Sequence, residues 1–388
     1  MTACHICGSP KLEPLIQKGT PFRLVSSDVQ PVVGAAEYSL CSHCLTVQKT
    51  ATPAWQAMAE QIYANYDINH QSQGAEPTIF DSAKGSGPRS LMLLRNFLDT
   101  GELAEEGRLL DIGCSNGNLL QTFHSLRPRW KLSGAELVDQ WKETVLALPG
   151  VEAFYSGPNP AYAGRFDVIS LSHVLEHIPD PIPFLKAISG HLTPGGRLLL
   201  AVPNLRQNPS DLIIADHCSH FDEDSLAYVA GMAGLGIELL SSTMLPKELV
   251  TVLSLGRPAC APDVARAEAQ AHRASTKARC LFFFELLDEV RRAARTYAQE
   301  DRPFGIMGSS IAACWTMLEL EGKAAFFVDE DQNRIGRQLM GRPIVAPAQM
   351  PAGAVVFIPM SVAVAEKIID RWKQLPVDFR YVPTNRPG

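Results

Sequence analysis

Leu109-Leu110-Asp111-Ile112-Gly113-Cys114-Ser115-Asn116-Gly117 decides how the centre of this chain folds. The stretch leaves a short apolar strand, turns on glycines and enters a helix. Glycine at 113 and 117 lets backbone approach a ligand where a Cβ would collide. The dinucleotide signature GxGxxG is absent. An acidic residue, Asp111, at the strand end followed by GxSxG suits a ligand with a cationic amino group and no pyrophosphate. Glu136 lies 19 residues after Gly117, at the end of the next strand, and is placed to accept both ribose hydroxyls of a nucleoside. The cofactor-binding candidates on this turn are therefore Asp111, Gly113, Ser115, Gly117 and Glu136.

Around this turn, short apolar strands alternate with helices. Arg108 to Ile112, Lys131 to Glu136, Phe166 to Leu171 and Arg197 to Val202 read as strands of a parallel, doubly wound sheet, so the fold class is α/β with a central Rossmann-like domain. Residues 53 to 100 read as mainly helical, with Trp55, Met58, Ile62 and Tyr66 at spacings of three or four. The segment from Tyr63 to His70 carries more polar and aromatic groups than a connector requires, and is expected to cover a ligand. A helical stretch from about Asp263 to Glu300 is longer than most globular helices, so it is expected to break or to pair with another element. Beyond it a second alternating region begins with strand Phe304 to Met307 and helix Ile311 to Leu320, followed by strands Ala324 to Asp329 and Ala354 to Pro359 and helix Val362 to Trp372. The expected layout is an N-terminal unit over 1–52, a ligand-binding domain with helical lead-in over 53–245, a helical linker over 246–302 and a smaller Rossmann-like domain over 303–388.

The N-terminal unit carries two CxxC knuckles, Cys4-His5-Ile6-Cys7 and Cys41-Ser42-His43-Cys44. Four thiolates make a tetrahedral shell suited to Zn²⁺ and leave no position for water, so Cys4, Cys7, Cys41 and Cys44 read as a structural zinc ribbon. His5 or His43 could replace one thiolate less economically. The ribbon is nearly neutral: four Lys and Arg face three Asp and Glu over residues 1–50, and the whole chain carries a formal charge of −6. Neither fits the basic stripe of a nucleic-acid binder. Hydrophobic residues at 46% and charged residues at 20% describe an ordinary globular chain rather than a disordered one. No apolar run reaches the roughly 20 residues that span a bilayer, and the start lacks a signal-peptide pattern, so a cytoplasmic protein without membrane partners is expected.

Two histidine-rich segments fall where loops leave the carboxyl ends of strands, the place where open α/β sheets bind ligands. The first is Ser172-His173-Val174-Leu175-Glu176-His177-Ile178. Ser172 and His173 are expected near the cofactor, and His177 is a candidate for chemistry as well as for packing. The second is Asp216-His217-Cys218-Ser219-His220-Phe221. There Asp216 is expected to orient its neighbour His217 or raise its basicity, and an imidazole with pKa of about 6.5 suits proton removal at neutral pH. His217 is thus the first candidate for a general base, with His220 behind it. Tyr66, and Asn204 just beyond the strand Arg197 to Val202, are the substrate-binding candidates.

The order of four motifs, Asp111 to Gly117, Gly134-Ala135-Glu136, Phe166-Asp167-Val168-Ile169 and Leu192-Thr193-Pro194-Gly195-Gly196, resembles class I S-adenosylmethionine-dependent methyltransferases, with Ser115 in place of a commoner glycine. The adenine contact is poorly marked, Tyr155 and Ser156 being its candidates. Over the whole chain, the order zinc ribbon, methyltransferase, small Rossmann-like domain resembles the sugar C-methyltransferase family, whose members methylate nucleotide-linked keto-sugars. Gly305 to Ser310, Phe327 to Asp331 and Gly341 to Val345 carry the C-terminal part. The resemblance implies S-adenosylmethionine and structural zinc as cofactors, a small-molecule acceptor, and His217 removing the proton beside a keto group with His177 as a second histidine. Family tyrosines are replaced by Ile68 and Ile214. The alternatives are an O- or N-methyltransferase for another biosynthetic small molecule, a non-enzymatic or nucleic-acid-directed protein, and a fused oxidoreductase using Gly305 to Ser310, which lacks the third glycine.

Overall fold

The computed structural model describes residues 3–16, 22–64, 66, 74–81, 85–158, 160–256 and 266–384. The N-terminal elements are β1 (Leu12–Pro14), β2 (Leu24–Val25), β3 (Pro31–Val32), β4 (Tyr38–Cys41) and β5 (Val47–Lys49). Helix α1 (Pro53–Ala64) then leads to a hairpin of β6 (Thr78–Asp81) and β7 (Gly85–Pro88), and to α2 (Arg89–Leu98). The hairpin interrupts the mainly helical reading of 53–100. Gly85-Ser86-Gly87-Pro88 has almost no intrinsic strand preference, and its pairing is imposed by the partner strand.

The central sheet takes β8 (Arg108–Ile112), α3 (Asn118–Leu126), β9 (Lys131–Glu136), α4 (Lys142–Leu146), β10 (Val151–Ser156), β11 (Phe166–Ser172), α5 (Pro181–Ser189) and β12 (Leu192–Pro203) in turn. After β13 (Ser219–His220) and α6 (Glu223–Met232) it is completed by β14 (Gly236–Ser241) and β15 (Glu248–Ser254). Its strand order is β10-β9-β8-β11-β12-β15-β14. The first five strands are parallel, as the run of apolar segments implies, but β15 lies antiparallel between β12 and β14. The sheet is therefore mixed, and it ends at Ser254 rather than at the expected boundary of 245. β15 is buried at every position, as a strand flanked on both edges should be.

Helix α7 (Arg266–Tyr297) runs unbroken for 32 residues, so the expected break is absent and the alternative, pairing, applies. Its apolar side, with Cys280, Phe283, Phe284 and Leu287, packs against Phe22 and Tyr38 on one side and Trp315 on the other. The C-terminal sheet comprises β16 (Phe304–Met307), β17 (Phe326–Val328), β18 (Gln338–Leu339), β19 (Arg342–Val345), β20 (Val355–Ile358) and β21 (Asp378–Tyr381), with α8 (Ile311–Glu319) and α9 (Val362–Trp372). Its order is β18-β19-β17-β16-β20-β21, parallel except for β18 on β19. Among the described residues no helix is long and apolar enough to cross a membrane.

The cysteine-bearing sheet is not self-contained. Its strand order is β1-β4-β5-β13, so its fourth strand arrives from beyond the central sheet's β12, with Ser219 opposite Gln48 and His220 opposite Val47. Cys4, Cys41 and Cys44 share a core with Leu110, Phe221 and Leu226, while Leu40 and Val47 share another with Leu212, Phe283 and Trp315. Leu40→Ala, at a fully buried site of that second core, should destabilise the chain by roughly 2–5 kcal/mol. Urea unfolding followed by tryptophan fluorescence and circular dichroism should shift as one transition. Two separated transitions would contradict a core shared by the ribbon and its neighbours.

Candidate active site

Between β8 and α3 the chain makes the tight turn its glycines permit. Gly113 (φ +77°) and Gly117 (φ +85°) are left-handed, and a Cβ would lie 2.5 Å from Val174 Cγ2 and 2.4 Å from Leu148 Cδ1 respectively. Ser115 also adopts the left-handed region (φ +47°), where the resemblance has glycine. Its N–H donates to Glu136 Oε2 at 2.9 Å, while Glu136 Oε1 accepts from the N–H of Leu137 at 3.0 Å. The acidic residue at the end of β9 is thus pinned to the turn that faces it.

A groove lies over this pair, lined by Tyr63, Tyr66, Ser115, Glu136, Val138 and Trp141 among others. Leu137 and Val138, both more than two-fifths exposed, form part of its wall. Two exposed apolar residues directly after a strand-end carboxylate were the sequence signal for this wall. Asp111 does not reach the groove. Its carboxyl is buried, accepts a hydrogen bond from Ser170 Oγ at 2.7 Å, and is pushed up to about 7 by burial. Tyr155 packs edge-on against Tyr162 and accepts from the N–H of Ala163 at 3.2 Å, away from the groove, and Ser156 is not among its lining residues.

Tyr63 links the groove to the histidines. Tyr63 Oη lies 2.8 Å from His177 Nδ1, and the His177 and His217 rings meet edge to face with centroids 4.5 Å apart. The partners of these histidines differ from those the sequence suggests. Asp216 does not bond its neighbour His217: it accepts from Ser27 N–H at 2.9 Å and Ser27 Oγ at 2.6 Å, and stands 3.3 Å from His177 Nδ1. His217 Nδ1 is instead 2.6 Å from Asp211 Oδ1, and His220 Nδ1 is 2.6 Å from Asp211 Oδ2. Adjacent residues at 216 and 217 point apart, whereas the one-and-a-half-turn 3₁₀ segment Pro209–Ile213 carries Asp211 back onto both rings.

Burial would raise the pKa of Asp211, but the His220 and His217 rings outweigh it and hold the carboxyl well below the usual carboxylate range. Asp216 is likewise held low, burial being overcome by His177. Burial pulls the His177 pKa down, yet the hydrogen bond and charge of Asp216 bring it above the ordinary value. His220 is fully buried and depressed to about 4 by burial and by Lys49, and both its ring nitrogens are engaged within the protein.

Ser172 and His173 belong to a second buried network. Arg89 donates to Ser172 Oγ at 2.6 Å and forms a two-point ion pair with Glu248, and His173 sits between Glu176 Oε1 (3.0 Å) and Glu248 Oε2 (3.3 Å). Against burial and Arg89, Glu248 and Glu176 raise His173 to about 9. Among the described residues Glu176 Oε2 has no hydrogen-bond partner, although ligand atoms of Glu176, His177 and His217 fall within 4.8 Å of one another. Asn204 is buried in a turn, its Oδ1 accepting from the N–H of Arg206 at 2.9 Å. Ile68 lies outside the described residues, as does the rest of 67–70; Ile214 is buried, with its carbonyl accepting from Lys49.

At the other end of β4, ligand atoms of Cys4, Cys7, Cys41 and Cys44 lie within 4.8 Å of one another, with Cys4 to Cys44 and Cys7 to Cys41 both at 3.6 Å and none of them in a disulfide. A tetrahedron of Zn–S bonds of about 2.3 Å has sulfur edges of about 3.8 Å, so the donor set fits zinc. His5 Nε2 is 2.9 Å from Ser219 Oγ, and His43 stands edge-on to Tyr228, so neither ring takes a thiolate's place.

Residues 88–240 match the methyltransferase domain family. The central unit has a class I methyltransferase fold. Among curated proteins, 131 residues of the chain are 28% identical to the ubiquinone biosynthesis O-methyltransferase of Marinobacter nauticus, covering 31% of this chain and 53% of that protein. A protein with the same description from Parvibaculum lavamentivorans is 33% identical over 111 residues, covering 26% and 42%. The chain thus spans about half the length of the curated relatives it matches. Among solved structures, an S-adenosylmethionine-dependent methyltransferase from Clostridium acetobutylicum aligns with 43% of this chain and 90% of its own, with a TM-score of 0.36 and 14% identity.

In the methyltransferase domain, the glycine cradle and Glu136 are the parts that fit S-adenosylmethionine. Glu136→Ala should weaken binding of that molecule by roughly 1.5–3 kcal/mol through loss of charged hydrogen bonds. Titration calorimetry with S-adenosylhomocysteine as well as the methyl donor reads this directly. An unchanged affinity would place the nucleoside elsewhere.

Proposed function

We propose that this chain transfers a methyl group from S-adenosylmethionine to a small molecule whose acceptor atom is deprotonated by His217. The observation that carries the reading is the 2.6 Å contact of His217 Nδ1 with the ionised Asp211, the His217 ring packing on His177, whose Nδ1 meets Tyr63 of the groove. A buried carboxylate on one ring nitrogen orients the imidazole and stabilises the imidazolium it becomes.

S-adenosylmethionine, when bound, supplies an electrophilic methyl group on a good leaving group. The chain's own residues then have two tasks. His217 Nε2 takes a proton from the acceptor, whose bonding electron pair stays behind on the acceptor atom as the nucleophile. Tyr63, Tyr66 and Glu176 position the rest of the molecule within reach, an effect that in well-oriented systems is worth several kcal/mol. Glu176 Oε2 is a buried acceptor with no donor among the described residues, which a hydroxylated acceptor molecule would satisfy.

The acceptor we favour is the carbon beside the keto group of a nucleotide-linked sugar. A carbon acid has a pKa far above that of a phenol and needs a held base, and the order of ribbon, methyltransferase domain and small Rossmann-like unit supports the same class. The two relatives described as O-methyltransferases favour a second reading, methylation of a hydroxyl oxygen. The four cysteines we assign to one structural zinc ion.

His217→Ala should lower turnover roughly 10²- to 10⁴-fold, the usual range for a general base, with affinity for S-adenosylhomocysteine nearly unchanged. For a carbon acceptor the wild type should also wash the α proton of the keto-sugar into deuterated solvent, and the variant should not. Methylation with full retention of that proton would select the oxygen reading.

For zinc, metal analysis of protein purified without chelator should give one equivalent per chain, and Cys41→Ser should lose it. Metal content unaffected by Cys41→Ser would remove the assignment.

A further inference from the structure

Lys49, at the end of strand β5 in the cysteine-bearing sheet, is completely buried against the histidine cluster. Its Nζ has three neighbours at hydrogen-bond distance: Ile214 O at 2.7 Å, His217 O at 2.8 Å and His220 Nε2 at 3.2 Å. An ammonium has three N–H bonds and no lone pair. Each proton therefore has one acceptor, and two of those acceptors are carbonyls that can do nothing else.

This count fixes the protons of the whole cluster. His220 Nε2 must present its lone pair to Lys49, so in the neutral ring the proton sits on Nδ1 and is donated to Asp211 Oδ2. Asp211, ionised, spends its other oxygen on His217 Nδ1, which must be the protonated nitrogen of that ring. The lone pair of His217 is left on Nε2. Burial lowers Lys49 to about 8, with Asp211 and Asp216 opposing, so the ammonium persists at neutral pH. The Tyr38 ring, 5.3 Å from Nζ, adds a cation–π face.

We infer that Lys49, acting through His220 and Asp211, is a positioning residue that sets the tautomer of His217, and that the ribbon strand β5 is for this reason part of the methyl-transfer site. The inference rests on His217 being the base. Without the ammonium, His220 could carry its proton on Nε2 and turn a lone pair toward Asp211 Oδ2, which would push the carboxylate off His217 and let that ring populate the tautomer with Nε2 blocked. The backbone supports the same coupling, since Lys49 N–H donates to Cys218 O at 2.9 Å and holds β5 against the loop that carries His217.

Long-range ¹⁵N NMR of the full chain labelled at histidine reads tautomers without any substitution. His217 and His220 are both expected as Nδ1–H in the wild type, and finding either as Nε2–H overturns the inference. Lys49→Met, close in shape but without the charge, should lower turnover roughly 10- to 100-fold and give His217 mixed tautomer shifts, with binding of S-adenosylhomocysteine retained. Asp211→Asn, which offers an amide where a carboxylate stood, should cost about 10³- to 10⁴-fold. Full turnover with unaltered His217 shifts in Lys49→Met overturns the role of Lys49. Failure of the base reading is separate: it would appear as full activity in His217→Ala, whatever the tautomers.

Discussion

A charged amine sealed away from water must find an acceptor for each of its protons, and the burial of Lys49 imposes this on everything around it. Two of its acceptors are carbonyls of the loop 214–217, and the third is His220, whose strand β13 closes the cysteine-bearing sheet. The loop cannot move away from β5 without stranding the ammonium. Ser27, also from the N-terminal unit, adds two hydrogen bonds to Asp216 on the same loop. The surroundings of the histidines are therefore built partly by a segment that, in sequence, lies before residue 53.

Two buried polar networks meet at adjacent residues. Glu176 belongs to the Arg89, His173 and Glu248 group, and His177 to the Asp216, Tyr63 and Ser27 group. The first network sets Arg89 and His173 against Glu176 and Glu248, so breaking one member there leaves an uncompensated charge rather than a lost surface contact. Such networks hold side chains in one arrangement, which is what an acceptor pocket requires if it is to align a reacting atom with a methyl group. His173 sits at φ +56°, a backbone conformation unusual for a non-glycine residue, where its ring reaches both glutamates.

How much of this was legible in the sequence depends on the range of the interaction. The turn 109–117, the carboxylate at 136 and the parallel strands were readable because each is signalled within a few residues by glycine spacing or an apolar run. The approach of the four cysteine sulfurs needs only two local knuckles and one pairing of strands. The partner of His217 was not readable. Adjacency favoured Asp216, and nothing in the local pattern says that a 3₁₀ segment delivers Asp211, six residues earlier. Nothing in the local pattern marks Lys49 as buried, since its burial depends on β13, more than 160 residues away. The hairpin of β6 and β7 and the antiparallel β15 were missed for the same reason: their partners, rather than their own residues, decide them.

The pairing of β5 with β13 also bears on how the chain reaches this state. During synthesis β4 and β5 emerge early, yet the strand that covers the open edge of β5 follows some 170 residues later. Until then β5 offers free backbone donors and acceptors beside buried apolar residues such as Val47, the kind of edge that invites pairing with another chain. Lys49 lies at the end of that edge. Before burial it is a solvated positive charge on a nascent strand, the same residue type that natural sheets place on exposed edges to repel unwanted neighbours. One side chain is thus a solvated charge beside an open edge first and an internal counter-charge once the loop has closed over it.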